Sequence, residues 1–297
     1  MTASAAAEWV AVVNPRSGGR TKPDAFMRRL HSAVARVLVS EGPGHIEGLV
    51  RSCSDAAGIL VAGGDGTLFE VLQACDRSRQ KIVLLPAGRG NSLAKDLGIG
   101  GSADARSCIE DGVDVTIDLL AVTLRHADGS VWTGVSASNL AIGYPADVAR
   151  EATRWRRLRG ASYAAAALTA SPGTLHLKLR CDDEPEEPIR LTGLVISNSR
   201  YVGPFMAFPT STLWDGVFHT IEMRAGRLRQ ALHNVSSLTR LGFYEPGVRR
   251  NVRRVAANLE EAGLLKIDGE IRTGVLGIDV RLEPAAVTFR VPAAPRA

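Results

Sequence analysis

The sequence predicts two domains of different texture. One is an α/β domain with a parallel sheet over residues 1–118, and the other is a β-rich antiparallel sandwich over residues 119–297, with the extreme C-terminal segment free to return to the first domain. Three observations carry this expectation. A chain of 297 residues exceeds the roughly 100–200 typical of one domain. In the first third, strand-like and helix-like segments alternate, and each strand-like run ends in a glycine-rich loop. Beyond about residue 115, short β-like runs follow one another with turn signals between them.

Trp9 to Val13 is an apolar, β-branched run stopped by Asn14-Pro-Arg-Ser-Gly-Gly19, a cluster that must turn. Pro23 suits the first turn of a helix running toward Leu38, because its missing N–H is not needed there. Gly58 to Ala62 is a second strand, ended by Gly63-Gly-Asp-Gly66, and Leu68, Val71 and Leu72 recur at helical spacing over 67–74. Lys81 to Leu85 repeats the theme, with Pro86-Ala-Gly-Arg-Gly-Asn91 and a short helix through Leu97. Further strands are expected over 115–124, 131–138, 174–180, 189–197, 217–223 and 287–291. Helical stretches are expected over 147–170 and 227–241, and the acidic run 182–187 reads as a solvated hairpin tip.

Composition excludes several classes. The chain is 45% hydrophobic and 23% charged, with 36 Lys+Arg against 31 Asp+Glu, which is the balance of a globular protein. No apolar run approaches the roughly 18 residues of a membrane span. The first eight residues lack a basic region followed by an apolar run, so a cytoplasmic protein is expected. The four cysteines form no C-x-x-C pair and the six histidines show no ligand spacing, so neither a disulfide framework nor a zinc site is expected. The net charge of +5 is dispersed and no nucleic-acid motif accompanies it, so no nucleic-acid partner is expected. A homodimer remains open.

In an open parallel sheet, ligands sit at the carboxyl ends of strands, where helix N-termini attract anions. Three glycine-rich loops in that position point to a phosphate-bearing ligand. Neither the G-x-x-x-x-G-K-[ST] loop nor a complete G-x-G-x-x-G is present, so a different nucleotide fold is needed. Gly63, Gly64 and Gly66 allow close approach of backbone to phosphate. Asp65 between them is placed to bind magnesium or to take a proton from an attacking hydroxyl. Thr67 and Glu70 have the spacing of a helix-capping box.

The ordered strings Val13-Asn-Pro-Arg-Ser-Gly-Gly19, Gly63-Gly-Asp-Gly-Thr67 and Pro86-Ala-Gly-Arg-Gly-Asn91 resemble the diacylglycerol kinase catalytic family, which includes bacterial lipid kinases, sphingosine kinases and ceramide kinases. The likeness continues through Asn139-Leu-Ala-Ile-Gly143, Asn198-Ser-Arg-Tyr-Val-Gly203, Asp215-Gly216 and Asp268-Gly-Glu270. It implies an ATP- and magnesium-dependent kinase with an N-terminal nucleotide domain and a β-rich C-terminal domain. Carried over, Asn14, Ser17, Gly18, Gly63, Gly64, Gly66, Thr67, Gly88, Arg89 and Asn91 would line the nucleotide site. Asp65 would be the essential aspartate, as metal ligand or general base. Asp268 and Glu270 would be required acids near the transferred phosphoryl, and Asp215 would help hold a structural divalent ion.

Departures from the family pattern bear on the acceptor. Gly88-Arg-Gly-Asn-Ser92 is closer to the sphingosine kinase string than to the bacterial G-T-x-N-D. Asp147 resembles a carboxylate that meets the sphingoid head group, whereas Trp214 replaces the first acid of the usual D-D-G before Asp215. Arg150, Arg154 and Arg157 share one helical face that could clamp phosphates, meet an anionic membrane or simply be solvated. Three functions follow: a kinase of a lipid hydroxyl, a sphingoid base slightly ahead of diacylglycerol; a kinase of the same architecture using a soluble alcohol or nucleoside-like metabolite; and a non-catalytic nucleotide- or lipid-binding regulator. The first fits best, because a pure binder has no use for Asp65, Asp268 and Glu270 together. Membrane contact, if made, is peripheral, at the inner membrane surface.

Overall fold

The computed structural model describes residues 9–17, 33–88, 90–155, 162–170, 173–202, 205–224 and 247–293. Gly18, Arg89, Arg157 and the helix expected over 227–241 lie outside them. The chain divides into two compact units. Unit 1 takes residues 1–119, 199–214 and 283–297, and unit 2 takes residues 120–198 and 215–282.

Unit 1 runs β1 (Trp9–Val13), β2 (Arg36–Val39), α1 (His45–Arg51), β3 (Gly58–Gly63), α2 (Asp65–Leu72), β4 (Lys81–Pro86), α3 (Ser92–Asp96) and α4 (Ser102–Asp111). The sheet order is β2-β1-β3-β4, parallel throughout, and Phe289 from the last strand of the chain adds a parallel pairing to Ile82. Every residue of β1 and β3 is buried. That is why these strands read as continuous apolar runs, since a parallel sheet is covered on both faces. Alternate residues divide between the faces. Trp9, Ala11 and Val13 join Leu60, Ala62, Val83, Leu85 and the buried side of α4, while Val10 packs with Cys53 and Ala56.

The expected helix from Pro23 to Leu38 is corrected at its end, because residues 36–39 form β2, in register with Val10 to Val13. Val37, Leu38 and Val39 suit a pleated surface, and the pairing of all four β2 residues with β1 decides the matter. The capping-box expectation for Thr67 is also corrected. Helix α2 starts at Asp65, its N-cap is Gly64, and no side chain caps it.

The remaining elements are β5 (Val113–His126), β6 (Val131–Ser136), β7 (Asn139–Gly143), α5 (Tyr144–Arg154), α6 (Ser162–Thr169), β8 (Leu175–Cys181), β9 (Glu187–Leu191), β10 (Gly193–Ser197), β11 (Tyr201–Val202), β12 (Phe205–Met206), β13 (Phe218–Met223), β14 (Gly247–Val252), β15 (Arg254–Ile267) and β16 (Glu270–Val291). In unit 2 an antiparallel run β14-β13-β10-β7-β15 is joined by the hairpins β5-β6, beside β16, and β8-β9, beside β15. Register shifts at Asn258/Gly263 and Gly263/Leu265 let β15 pair with β8 along 255–259 and with β7 along 265–267. One strand thereby serves two groups of partners, the usual consequence of bulges. The N-terminal α/β unit and the β-rich antiparallel unit match the predicted fold class.

Two boundaries differ from expectation. The run 189–197 is two strands, because the chain breaks step at Thr192, whose backbone N–H and hydroxyl both donate to the Met223 carbonyl. The helix expected over 147–170 is two helices, and the first begins at Tyr144 with Pro145 in its opening turn.

Candidate functional site

The three glycine loops of unit 1 are tied to one another by side chains from the loops themselves. Asn14 follows β1, and its Nδ2 donates to Thr67 Oγ1 at 3.0 Å, while its Oδ1 accepts the Arg16 N–H at 3.0 Å. The backbone N–H of Ala87 donates to the Gly63 carbonyl at 2.8 Å, which brings the second and third loops together. Asn91, in the left-handed region at φ 49, closes the third loop: its Oδ1 accepts the Gly88 N–H at 3.0 Å and its Nδ2 donates to the Gly88 carbonyl at 2.8 Å. Asparagine is among the few residues that adopt this conformation readily.

Gly64 and Gly88 touch backbone to backbone. A Cβ on Gly88 would lie 2.5 Å from Gly64 Cα and 2.7 Å from Asn91 Oδ1. Only glycine at both positions permits that approach, a contact the sequence alone did not indicate.

Asp65 opens α2 directly after this contact. Its Oδ1 accepts the Ser92 N–H at 2.8 Å, linking the second loop to the start of α3. A Cβ on Gly90 would stand 2.6 Å from Asp65 Oδ2, so glycine there leaves space beside that oxygen. A half-buried carboxylate next to backbone-lined loops suits Mg²⁺, which takes one or two carboxylates and completes its shell with phosphate oxygens and water. Among the described residues no group of three or more His, Cys, Asp or Glu side chains gathers as a ready-made metal cage. Ser17, the other described residue of the first loop's candidates, donates its N–H to the Asn14 carbonyl at 3.2 Å.

In unit 2, Asp268 occupies the turn between β15 and β16 with φ 45 and is 4% exposed. Its Oδ1 accepts from the Ser136 hydroxyl at 2.8 Å and from the Ser138 and Asn139 N–H groups at 2.9 and 3.0 Å, and its Oδ2 accepts the Ala137 N–H at 3.0 Å. Burial pushes this carboxyl up from its ordinary range, against the pull of those donors and of Lys266. With four donors from residues 136–139, the carboxylate anchors that turn. Three of the four donors meet Oδ1 and one meets Oδ2, so the carboxylate is held by the turn it gathers. Glu270, two residues on, is half-buried at the start of β16.

Asp147 lies in the first turn of α5 and is paired with Arg150 at 3.0 Å. Burial pushes its carboxyl up, and Arg150 opposes that shift. Arg154 on the same helix pairs with Glu151 at 2.9 Å, so both described arginines of the basic face are engaged. Asp215 faces His219, 3.6 Å from its Nε2, and accepts the Val217 N–H at 3.4 Å. Trp214, which stands at the position of the first acid in that string, is exposed.

Sequence reasoning passed over Asp96 and Arg200. The Asp96 side chain is 2% exposed, accepts Arg200 Nε at 2.9 Å and accepts the Ser199 hydroxyl. Arg200 sits in the string Asn198-Ser-Arg-Tyr-Val-Gly203, whereas Asp96 lies past the third loop string and carried no signal of its own.

Comparison with known proteins agrees with this geometry. Residues 8–122 match the model of the diacylglycerol kinase catalytic domain. Human diacylglycerol kinase zeta is 32% identical over 119 residues, covering 36% of this chain and 13% of that protein, so the chain spans only a small part of that relative's length. A diacylglycerol kinase from Mycobacterium tuberculosis is 28% identical over 222 residues, 70% of each chain. A crystal structure of a diacylglycerol kinase from Bacillus anthracis shares the fold with a TM-score of 0.76 at 16% identity, covering 96% of this chain and 97% of that one. The matched region contains all three interlocked loops and Asp65, and the fold likeness extends over nearly all of the chain: residues 8–122 are similar to the diacylglycerol kinase catalytic domain, and the chain as a whole shares the fold of a bacterial diacylglycerol kinase.

Proposed function

We propose that the protein is an ATP- and Mg²⁺-dependent kinase that phosphorylates the hydroxyl of a lipid, diacylglycerol before a sphingoid base. The observation that carries this reading is the locking of three glycine loops around Asp65, through Asn14 to Thr67, Gly64 against Gly88, and Ser92 to Asp65. Phosphoryl transfer asks mainly for positioning and charge stabilisation. Backbone N–H groups of the loops and of the uncapped α2 N-terminus receive phosphate oxygens. Asp65 is the residue that would hold Mg²⁺, which supplies neutralisation of charge on the phosphates. The same carboxylate is the candidate acceptor of the hydroxyl proton, so Asp65 carries the chemistry. Asp268 acts as a positioning residue through the 136–139 turn, and Glu270 is the acid of that motif left with an accessible face.

Diacylglycerol takes precedence because the Asp147 carboxylate, the feature pointing to a sphingoid amine, is already paired with Arg150. Among the described residues no helix is long and apolar enough to cross a membrane, so access to such an acceptor would be peripheral. The test incubates the protein with γ-labelled ATP and Mg²⁺ and separate mixed-micelle pools of diacylglycerol, sphingosine and polar alcohols. Label should enter the organic phase with diacylglycerol, and Asp65→Asn should lower kcat by roughly 10²–10⁴ with the melting temperature kept. Label in no pool, or only in the polar one, overturns the lipid reading.

A further inference from the structure

We propose that Arg200 and Asp96 form a strut that positions the third glycine loop and, through Ser92, the Asp65 carboxylate. The inference rests on the function proposed above for its kinetic consequence, but its structural content stands by itself. Residues 199–214 come between strands of unit 2 in sequence, yet they belong to unit 1. At their start, Arg200 grips the end of α3 twice: Nε donates to Asp96 Oδ1 at 2.9 Å, and Nη2 donates to the Asp96 main-chain carbonyl at 3.2 Å. The Ser199 hydroxyl donates to the other carboxylate oxygen and itself accepts the Tyr201 N–H at 3.0 Å. Lys95, one residue earlier, lies 5.3 Å over the Tyr201 ring.

The grip is itself held. The Arg200 carbonyl accepts N–H groups from Ala207 and Phe208 at 2.8 and 3.1 Å, so the arginine backbone cannot drift. Burial pushes the Asp96 carboxyl up, against its bonds to Ser199 and Arg200, so the aspartate depends on these partners to remain charged. Helix α3 is a single short piece, Ser92–Asp96, and fixing its last residue fixes its first. Its first residue donates the N–H that Asp65 Oδ1 accepts, and Asn91 just before it closes the Gly88 turn. A line of bonds thus runs from Arg200 through Asp96, α3 and Ser92 to Asp65. No other described side chain hydrogen-bonds to Asp96.

The test compares Arg200→Met, Arg200→Lys and the neutral pair Asp96→Asn/Arg200→Met by amide hydrogen exchange and steady-state kinetics. In Arg200→Met the amides of 92–97 should exchange about tenfold faster or more, as expected from losing hydrogen bonds to a charged group, while those of β3 and β4 keep their protection. KM for ATP should rise about tenfold with KM for the lipid unchanged, and Arg200→Lys should recover most of both effects. Should Arg200→Met fail to fold, the neutral pair, which buries no lone charge, carries the same readouts. Unchanged exchange over 92–97 in a folded variant overturns the strut. A wild-type protein that phosphorylates nothing overturns the proposed function, and the exchange result still decides the strut.

Discussion

Replacing Gly88 with alanine tests whether the glycine loops work as a packed unit. Carbon atoms rest at about 3.5–4.0 Å. The alanine Cβ would meet Gly64 Cα at 2.5 Å and Asn91 Oδ1 at 2.7 Å, so the loops must part by about 1 Å. Both obstacles are poorly compliant: one is backbone, and the other is an amide fixed by two hydrogen bonds to Gly88. Overpacking of this kind costs about 1–3 kcal/mol. For a unit of this size that lowers the melting temperature by roughly 2–4 °C per kcal/mol. A displacement of about 1 Å at a reacting centre lowers turnover about 10²-fold, so the loss of activity should exceed the loss of stability. The control is Gly48→Ala in α1, where a Cβ meets nothing within 4 Å and alanine improves helix propensity by up to about 1 kcal/mol. Calorimetry and kinase assays on both variants decide the matter. A Gly88→Ala protein with wild-type melting and wild-type kcat/KM would refute the reasoning, as would equal damage in Gly48→Ala.

Two further outcomes follow from buried groups. Asp268→Asn sets an amide N–H against the Ala137 N–H, so denaturant titration should show a loss of about 1–3 kcal/mol; abolished turnover at full stability would instead make Asp268 a chemical participant. Burial pushes the thiols of Cys75, Cys108 and Cys181 up to about 11 from an ordinary 9.0. Because the folded values are raised, the stability these thiols contribute is complete below pH 9.0 and is lost as pH climbs toward about 11. A thiol reagent at pH 8 should leave the native protein largely unlabelled, and Cys108→Ala should lessen the fall in denaturant midpoint between pH 8 and 10.5; rapid native labelling would contradict this.

How far the fold was legible depended on how local its causes were. β1, β3 and β4 could be read directly, because strands covered on both faces carry continuous apolar runs, in β4 the four residues Ile82 to Leu85. β2 was misread as helix because Val34 to Val39 carries no strict alternation, and only its pairing to β1 selects the extended form. β16 was seen only at its last five residues. Glycines 274 and 277 and Pro284 look like strand breaks in a linear reading, yet the 22-residue strand tolerates them as it passes from one set of partners to another.

The sequence by itself determined where a phosphate-binding site was to be expected: glycine-rich loops after strand-like runs with one aspartate among the glycines, whereas Asp268 and Glu270 entered only through the family resemblance. Tertiary structure decided what each acid does. Asp268 and Asp96 look alike as letters, yet one gathers the 136–139 turn and the other joins α3 to a residue 104 positions away. A carboxylate's role is set by which donors surround it and how much water they displace, and those donors are supplied by folding rather than by the aspartate's neighbours in sequence.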